Sequence, residues 1–270
     1  MRTIPEFNDK VAVVTGAGSG IGRALALQLA ASGSRLALAD IDAESLKATV
    51  KLLPESTSCI TFQLDVADRA AYQAFVQQVI ADYQQVDIVI NNAGIVRLHS
   101  IGQGTYEDYE KTFAINAWGV LHGCKEFIPY LKQRPKAWLA NISSIAGLAG
   151  VANYSSYNMS KFAIRGLTEA LRSELRETNV NVSCVHPGGV RTNIHKLGVF
   201  SEDSAETAKS LEKMMDAMTA EKAADLTLVG MAKGKRRILV GKDVKALDLI
   251  TRLLPGSYEG PLSWLERCLG

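Results

Sequence analysis

Cysteine is scarce: the 270-residue chain has four, Cys59, Cys124, Cys184 and Cys268. They are widely scattered and none forms a CxxC pair, which argues against a zinc knuckle or a redox dithiol. A reduced, cytoplasmic setting is the expectation. His99, His122, His186 and His195 show no metal-ligand spacing. No metal is expected, and these histidines read as ordinary surface or loop residues, with only His195 placed near a substrate. An excess of one charge is also lacking, with 30 basic and 28 acidic residues. That balance argues against a nucleic-acid or polybasic membrane binder. Lys235, Arg236 and Arg237 read as a solvated strand entry. No run of eighteen apolar residues occurs, so no membrane-spanning helix is expected. The opening "MRTIPEFNDKVAVVTG" lacks the apolar stretch of a signal peptide. No repeat, low-complexity tract or Pro/Gly linker divides the chain, so one domain over residues 1–270 is the simplest account.

What is present is a run of short apolar segments separated by helical patterns. Hydrophobic residues make up 47% of the chain, enough for a substantial core. Val11 to Thr15, Arg35 to Asp40, Cys59 to Asp65, Val86 to Asn91, Ala137 to Ser143, Val180 to His186 and Arg236 to Gly241 read as buried strands. They are continuous rather than alternating, as strands covered on both faces are. Helical patterns fill Ala43–Leu53, Asp68–Tyr83, Tyr106–Leu131 and Tyr157–Glu177, and Ile21, Ala24, Leu25 and Leu29 mark one face of another helix. Strand–helix alternation predicts an α/β fold: a doubly wound, Rossmann-like parallel sheet of about seven strands with helices on both faces. In such sheets ligands bind beyond the C-terminal strand ends.

The residues after the first strand, "GAGSGIG", open a helix. Glycines there let the backbone turn sharply and approach a pyrophosphate seated on the helix N-terminus. The strict G-x-G-x-x-G spacing fails, because Ile21 stands where the third glycine belongs. Gly16, Gly20 and Gly22 carry the pattern, with Ser19 and Ile21 between them as further cofactor contacts. Asp40 ends the second strand, where a carboxylate can accept both hydroxyls of an adenosine ribose and repel a 2′-phosphate. NAD is therefore expected over NADP. Arg23, near the turn, is the complication. The alternative role for Asp40, a helix cap, suits Asp42 better.

Further motifs follow the later strands: "NNAG" (Asn91 to Gly94), "NISS" (Asn141 to Ser144), "YNMSK" (Tyr157 to Lys161) and "PGGVRT" (Pro187 to Thr192). With "TGAGSGIG", this ordered set resembles the short-chain dehydrogenase/reductase family over roughly Lys10 to Gly241. The resemblance implies a nicotinamide-dependent alcohol–carbonyl oxidoreductase. It implies Asn116, Ser144, Tyr157 and Lys161 as catalytic residues, and Asp65 and Val66 as adenine-side contacts. Asn92 would tie the central strands, Ala93 and Gly94 would lie beside the cofactor, and Tyr157 and Lys161 would also touch it. Pro187, Gly188 and Val190 would line the nicotinamide end, where Thr192 would meet the carboxamide.

The chemistry is consistent with those residue types. An alcohol gives up a hydride only as its proton leaves, and a phenol with a pKa of about 10 is a poor base at neutral pH. A lysine ammonium and an oxidised nicotinamide both favour phenolate. Lowering the pKa by two units needs about 2.7 kcal/mol. Tyr157 and Lys161, four apart, share a helix face, whereas Tyr154 lies two turns from Lys161. Tyr157 is thus the tyrosine a lysine could tune. Ser144 can donate to the carbonyl oxygen, and Asn116 would hold a proton-relaying water.

The substrate is expected to be a small-molecule, hydrophobic secondary alcohol or its ketone. Met214, Met215 and Met218 suggest an adaptable apolar cover, a lid over about residues 192–234. The C-terminal extension, about 242–270, carries the stripe Val244, Leu247, Ile250 and Leu254, which needs a partner on the body or a neighbouring subunit. A homodimer or homotetramer pairing through the helices of Asn116 and Tyr157 is expected from the resemblance. Two other classes stand beside this reading. One is a catalytically silent NAD(H)-binding regulator on the same fold. The other is an epimerase or dehydratase, against which the glycine spacing and the chain length argue.

Overall fold

The absence of alternation in the apolar runs has a direct cause in the sheet they form. The computed structural model describes residues 2–191, 199–200, 218–258 and 260. Seven strands pair in parallel: β1 (Val11–Thr15), β2 (Arg35–Asp40), β3 (Cys59–Gln63), β4 (Ile88–Asn91), β6 (Ala137–Ile142), β7 (Val180–Pro187) and β9 (Arg237–Val240). Their order is β3-β2-β1-β4-β6-β7-β9. Two short strands, β5 (Arg97–Leu98) and β8 (Val199–Phe200), pair separately.

The helices are α1 (Gly20–Ala31), α2 (Ala43–Val50), α3 (Arg69–Tyr83), α4 (Tyr106–Phe113), α5 (Gly119–Leu131), α6 (Ser155–Glu174), α7 (Ala220–Ala232) and α8 (Lys242–Leu253). In β1, Ala12 and Val14 pack into a core layer with Leu25 and Leu29 of α1 and Leu228 and Met231 of α7. Val11 and Val13 point the other way, into a layer with Phe75 of α3, Phe127 of α5 and Ile164 of α6. Both faces of β1 are therefore covered by apolar side chains, and its run is continuous.

Strand order reverses between β1 and β4, which opens a crevice at the C-terminal ends of those strands. Three details shape it. The helix expected over Tyr106–Leu131 is broken by a π-helical turn at Ala114–Trp118, where the Gly119 N–H reaches the Ala114 carbonyl five residues back. α6 begins at Ser155, with Tyr154 at its N-cap, so Tyr154 is not a turn of the helix at all. α7 is core rather than cover: Ala223, Ala224, Leu228 and Met231 are fully buried, because the helix packs along α1. α7 is therefore not part of the lid expected over 192–234. Apart from Val199 and Phe200, residues 192–217, with Met214, Met215 and His195, lie outside the described residues, as do Cys268 and the end of the extension.

Candidate functional site

The glycine turn is built from backbone that side chains would block. Gly16 and Gly20 have φ of +65° and +51°, conformations that favour glycine. A Cβ on Gly22 would lie 2.0 Å from the Gly16 carbonyl oxygen. Asn92 fastens this turn to β4: its Nδ2 donates to the Thr15 carbonyl at 2.9 Å and the Gly16 carbonyl at 3.2 Å. Thr15 returns the tie, its Oγ1 accepting from the Asn92 and Ala93 amides at 3.0 and 3.1 Å. Ser19 occupies the N-cap of α1 without capping it, which leaves its hydroxyl beside the helix N-terminus. Ile21 turns back to pack on the core.

Asp40 Oδ2 accepts the Gly18 amide at 2.7 Å and its Oδ1 the Asp42 amide at 3.0 Å. Each oxygen keeps a further lone pair. Asp42, not Asp40, caps α2, accepting from Glu44 and Ser45. Arg23 is committed to the turn itself. Its Nε donates to Thr49 Oγ1 at 2.9 Å and its other nitrogen bonds the Gly18 carbonyl. Asp65, beyond β3, accepts the Ala67 amide at 2.9 Å. Val66 is buried against α5, where a Cβ on Gly119 would lie 2.7 Å from its methyl.

At the other end of the crevice four polar side chains converge. Asn116, on the π turn, is fully buried. Its Oδ1 accepts the Ile95 amide at 2.8 Å, and its Nδ2 donates to the Ile95 carbonyl at 2.9 Å and Ser160 Oγ at 3.0 Å. A Cβ on Gly94 would lie 3.1 Å from Asn116 Oδ1 and 3.5 Å from Lys161 Nζ, so the backbone passes close over both. Lys161 Nζ donates to the Ile142 carbonyl at 3.0 Å and lies 5.4 Å from the centre of the Tyr157 ring. The Ser144 hydroxyl neighbours the Tyr157 phenol and favours its charged form. Ser143 braces the helix, its Oγ donating to the Lys161 carbonyl at 2.9 Å.

Burial governs the protons here. It pulls the Lys161 ammonium down to about 8 and pushes the Tyr157 phenol above its ordinary value, the Ser144 hydroxyl opposing that push. The expectation that Lys161 draws Tyr157 toward phenolate is not what the protein alone displays. Desolvation penalises both charged forms, and the ammonium sits against the ring.

The last strand exit carries Pro187, Gly188 and the buried Val190. The Gly188 amide donates to the Val240 carbonyl at 3.0 Å. Thr192 lies outside the described residues. Two groups of residues here went unforeseen. Asp243 of α8 accepts the Gly189 amide at 3.2 Å. The histidines His99, His122 and His186 are buried rather than surface residues. Each has a ring nitrogen within hydrogen-bond distance of a backbone carbonyl: His99 at Ser100, His122 at Val66 and His186 at Ser144. Those bonds are what let an imidazole stay inside. No group that could hold a metal ion occurs among the described residues.

A parallel doubly wound sheet, a glycine turn at its switch point and a serine–tyrosine–lysine cluster facing it define a dinucleotide-type oxidoreductase site. The family profile described as short chain dehydrogenase matches residues 10–199. The chain belongs to the short-chain dehydrogenase/reductase family and is an oxidoreductase. It is 40% identical over 258 residues to the putative oxidoreductase SadH of Mycobacterium tuberculosis, covering 94% of each chain. It is 32% identical over 207 residues to the 3-oxoacyl-[acyl-carrier-protein] reductase FabG of Thermotoga maritima, covering 76% of this chain and 82% of that one. A short-chain dehydrogenase/reductase from Burkholderia phymatum, solved in complex with NAD, superposes with a TM-score of 0.87 at 30% identity, covering 93% of this chain and 95% of that one.

Proposed function

We propose that the chain interconverts a hydrophobic secondary alcohol and its ketone with NAD(H), using Tyr157 as general acid and base. The observation that carries this reading is the convergence of the buried Ser144 and Lys161 on the half-buried Tyr157, with Lys161 Nζ 5.4 Å from the centre of the tyrosine ring. The residues fit the cofactor. Gly16, Gly20 and Gly22 leave room for a pyrophosphate over Ser19, and Asp40 keeps acceptor capacity for ribose hydroxyls. Gly94 lies above Lys161, which has donors to spare for a second ribose. Asp65, Val66, Ala93, Pro187, Gly188 and Val190 complete the lining, and Asn92 holds it. When bound, the nicotinamide supplies the hydride acceptor or donor.

The chain's own residues handle the proton. In reduction, Ser144 donates a hydrogen bond to the carbonyl oxygen and Tyr157 delivers its proton there. A phenol whose pKa burial has raised is fully protonated and ready to do so. In oxidation the proton moves the other way, and a cation nearby must offset the burial. Asn116 holds the segment after β4 against α6 and supports the water that relays protons to Lys161.

NAD is favoured over NADP because Asp40 would repel a 2′-phosphate and Arg23 is occupied by Thr49 and the Gly18 carbonyl. A hydrophobic substrate suits Val96, Leu98 and Val151, which pack beside Tyr154 and Tyr157. Pairing of two copies suits the apolar groove of Phe113, Trp118, Leu121 and Leu167 on α4, the π turn, α5 and α6, where Trp118 stays half exposed. No helix among the described residues is long and apolar enough to cross a membrane.

The test is Tyr157→Phe, assayed by NADH absorbance against a panel of secondary alcohols and ketones. Turnover should fall about 10²–10⁴-fold with NADH affinity retained, and Tyr154→Phe should be mild. Equal losses in both variants would remove Tyr157 from its role.

A further inference from the structure

We propose that His186 is a positioning residue for Ser144, holding the backbone from which the serine hydroxyl reaches Tyr157. This rests on the reading of Ser144 and Tyr157 given above. His186 is the penultimate residue of β7 and is fully buried. Its Nδ1 lies 3.0 Å from the Ser144 carbonyl oxygen. A carbonyl only accepts, so Nδ1 carries the hydrogen and Nε2 a lone pair. Among the described residues that Nε2 is buried without a hydrogen-bond partner. Among them, the bond to Ser144 is thus the imidazole's polar anchor.

The location explains why a side chain is used. Pairing of β6 with β7 ends as the Ser143 amide donates to the Val185 carbonyl at 2.8 Å. Pro187, next along β7, has no N–H to offer. Ser144 therefore leaves the ladder in an extended conformation, φ −165° and ψ 171°, and the imidazole supplies a donor at that level. On the same residue, Ser144 Oγ accepts the Ala146 amide at 3.2 Å and neighbours the Tyr157 phenol, whose charged form it favours. The carbonyl is held by the imidazole from the β7 side and by the Gly147 amide, at 3.0 Å, from its own turn, and His186 is what ties that turn to the sheet. Burial pulls the imidazole pKa down to about 4, which keeps the ring neutral and the bond unchanged at ordinary pH. A histidine that merely filled the core would need no bond to this residue in particular.

The experiment compares His186→Leu, which fills the space without a donor, with His186→Asn, whose amide N–H can take the place of Nδ1–H. Three measurements are made: kcat, NADH Kd by fluorescence titration, and the crystal structure of each variant. The leucine variant should lose about 10–100-fold in kcat, the range for one buried hydrogen bond, with NADH Kd within about twofold, inside ordinary assay scatter for an untouched site. Ser144 Oγ should have moved away from Tyr157. The asparagine variant should keep Ser144 in place and recover most of kcat. If the leucine variant does not fold, His186→Gln replaces it, since its amide reaches to the depth of Nε2 and should fail where asparagine succeeds. Should Ser144 stay put in the variant without the donor, or asparagine fare no better than it, the proposal is overturned. The position of Ser144 is read without any substrate. Persistent turnover in Tyr157→Phe would instead strike the functional reading and leave this structural comparison to stand or fall by itself.

Discussion

The two ends of the crevice are built on different principles. At the Asp40 end the working atoms are backbone amides and one half-buried carboxylate, and what matters is what is missing. Gly16, Gly18 and Gly22 each stand where a Cβ would meet another atom at less than 3.0 Å. At the Tyr157 end the converging atoms belong to side chains, the buried Asn116, Ser144 and Lys161 around the half-buried Tyr157, and what matters is where the protons are. Lys161 and Tyr157 are both pressed toward their neutral forms by desolvation. The first end is specified by volume and the second by charge. Substitutions at the first should act on cofactor affinity, and those at the second on turnover and pH dependence.

The largest effect is expected at Gly22. Its added Cβ would meet the Gly16 oxygen at 2.0 Å and Asn92 Nδ2 at 2.6 Å. The first contact is backbone and cannot rotate away. Gly22→Ala should weaken NADH binding at least about 100-fold, the scale of a displaced binding loop, and lower the melting temperature. Calorimetric titration checks it, and wild-type affinity would show that volume does not govern this end.

Charge predicts a pH signature for Lys161. Its folded pKa, about 8, lies below the ordinary 10.5. Between those values the unfolded chain binds more protons than the folded one, so stability rises with pH across that window. Below pH 8 both states are protonated and the burial penalty is constant. Tyr157, raised by burial above the ordinary 10.0 of a phenol, acts oppositely above pH 10. The rise between about 8 and 9 belongs to Lys161, before the thiols of Cys59, Cys124 and Cys184, raised by burial from 9.0, begin to act oppositely, and Lys161→Met should abolish it while being the more stable protein near neutrality. Denaturant melts at several pH values measure this. A parallel pH dependence in wild type and variant would mean that Lys161 is not buried as a charge.

The sequence made this division partly legible, and unevenly. Continuous apolar runs gave the seven strands because both faces of the sheet are covered. The ends of those runs then located the glycine turn, Asn92, Ser144 and Tyr157. Strands β5 and β8 escaped, since two residues leave no periodicity. The π turn around Asn116 escaped because it preserves helical patterning on either side. Buried polar pairs were invisible for another reason. Asn91 Nδ2 donates to Asn141 Oδ1 at 2.9 Å across 50 residues, and Asn141 to Thr168 across 27. His186 looked like a loop residue because a strand-end histidine reads the same whether its partner is water or the Ser144 carbonyl. Only the fold decides which.

A smaller effect should follow at Asp40, where the carboxylate acts by charge at the end ruled by volume. Asp40→Ser removes the repulsion of a 2′-phosphate but also two acceptors, for the Gly18 and Asp42 amides. The ratio of kcat/KM for NAD over NADP should fall about tenfold, as for loss of one charge interaction of about 1.4 kcal/mol. The absolute value for NADP should rise only modestly, because Arg23 remains engaged with Thr49. A wild-type preference for NADP would reverse the cofactor assignment outright.

The smallest and sharpest test lies where the comparison should break. Asp243, in the first turn of α8, is a side chain at the chemistry end that acts by volume and backbone contact. Its Oδ2 accepts the Gly189 amide at 3.2 Å. A Cβ on Gly188 would lie 2.0 Å from Oδ2, and one on Gly241, where φ is +134°, 2.1 Å from Oδ1. The carboxylate thus lies between two glycines and holds the loop after β7 from the side of the C-terminal extension. Asp243→Ala should raise the KM for NADH about three- to tenfold with kcat nearly unchanged, the net size of one ordinary hydrogen bond. Gly188→Ala should be worse, because the new methyl strikes the carboxylate. The three nearest atoms to that methyl all belong to Asp243, so removing the carboxylate also removes the clash. The double variant Gly188→Ala/Asp243→Ala should therefore bind NADH better than Gly188→Ala alone, a non-additivity expected only of groups in contact. If the two losses simply multiply, something other than Asp243 reserves position 188 for glycine, and the extension has no hold on the site.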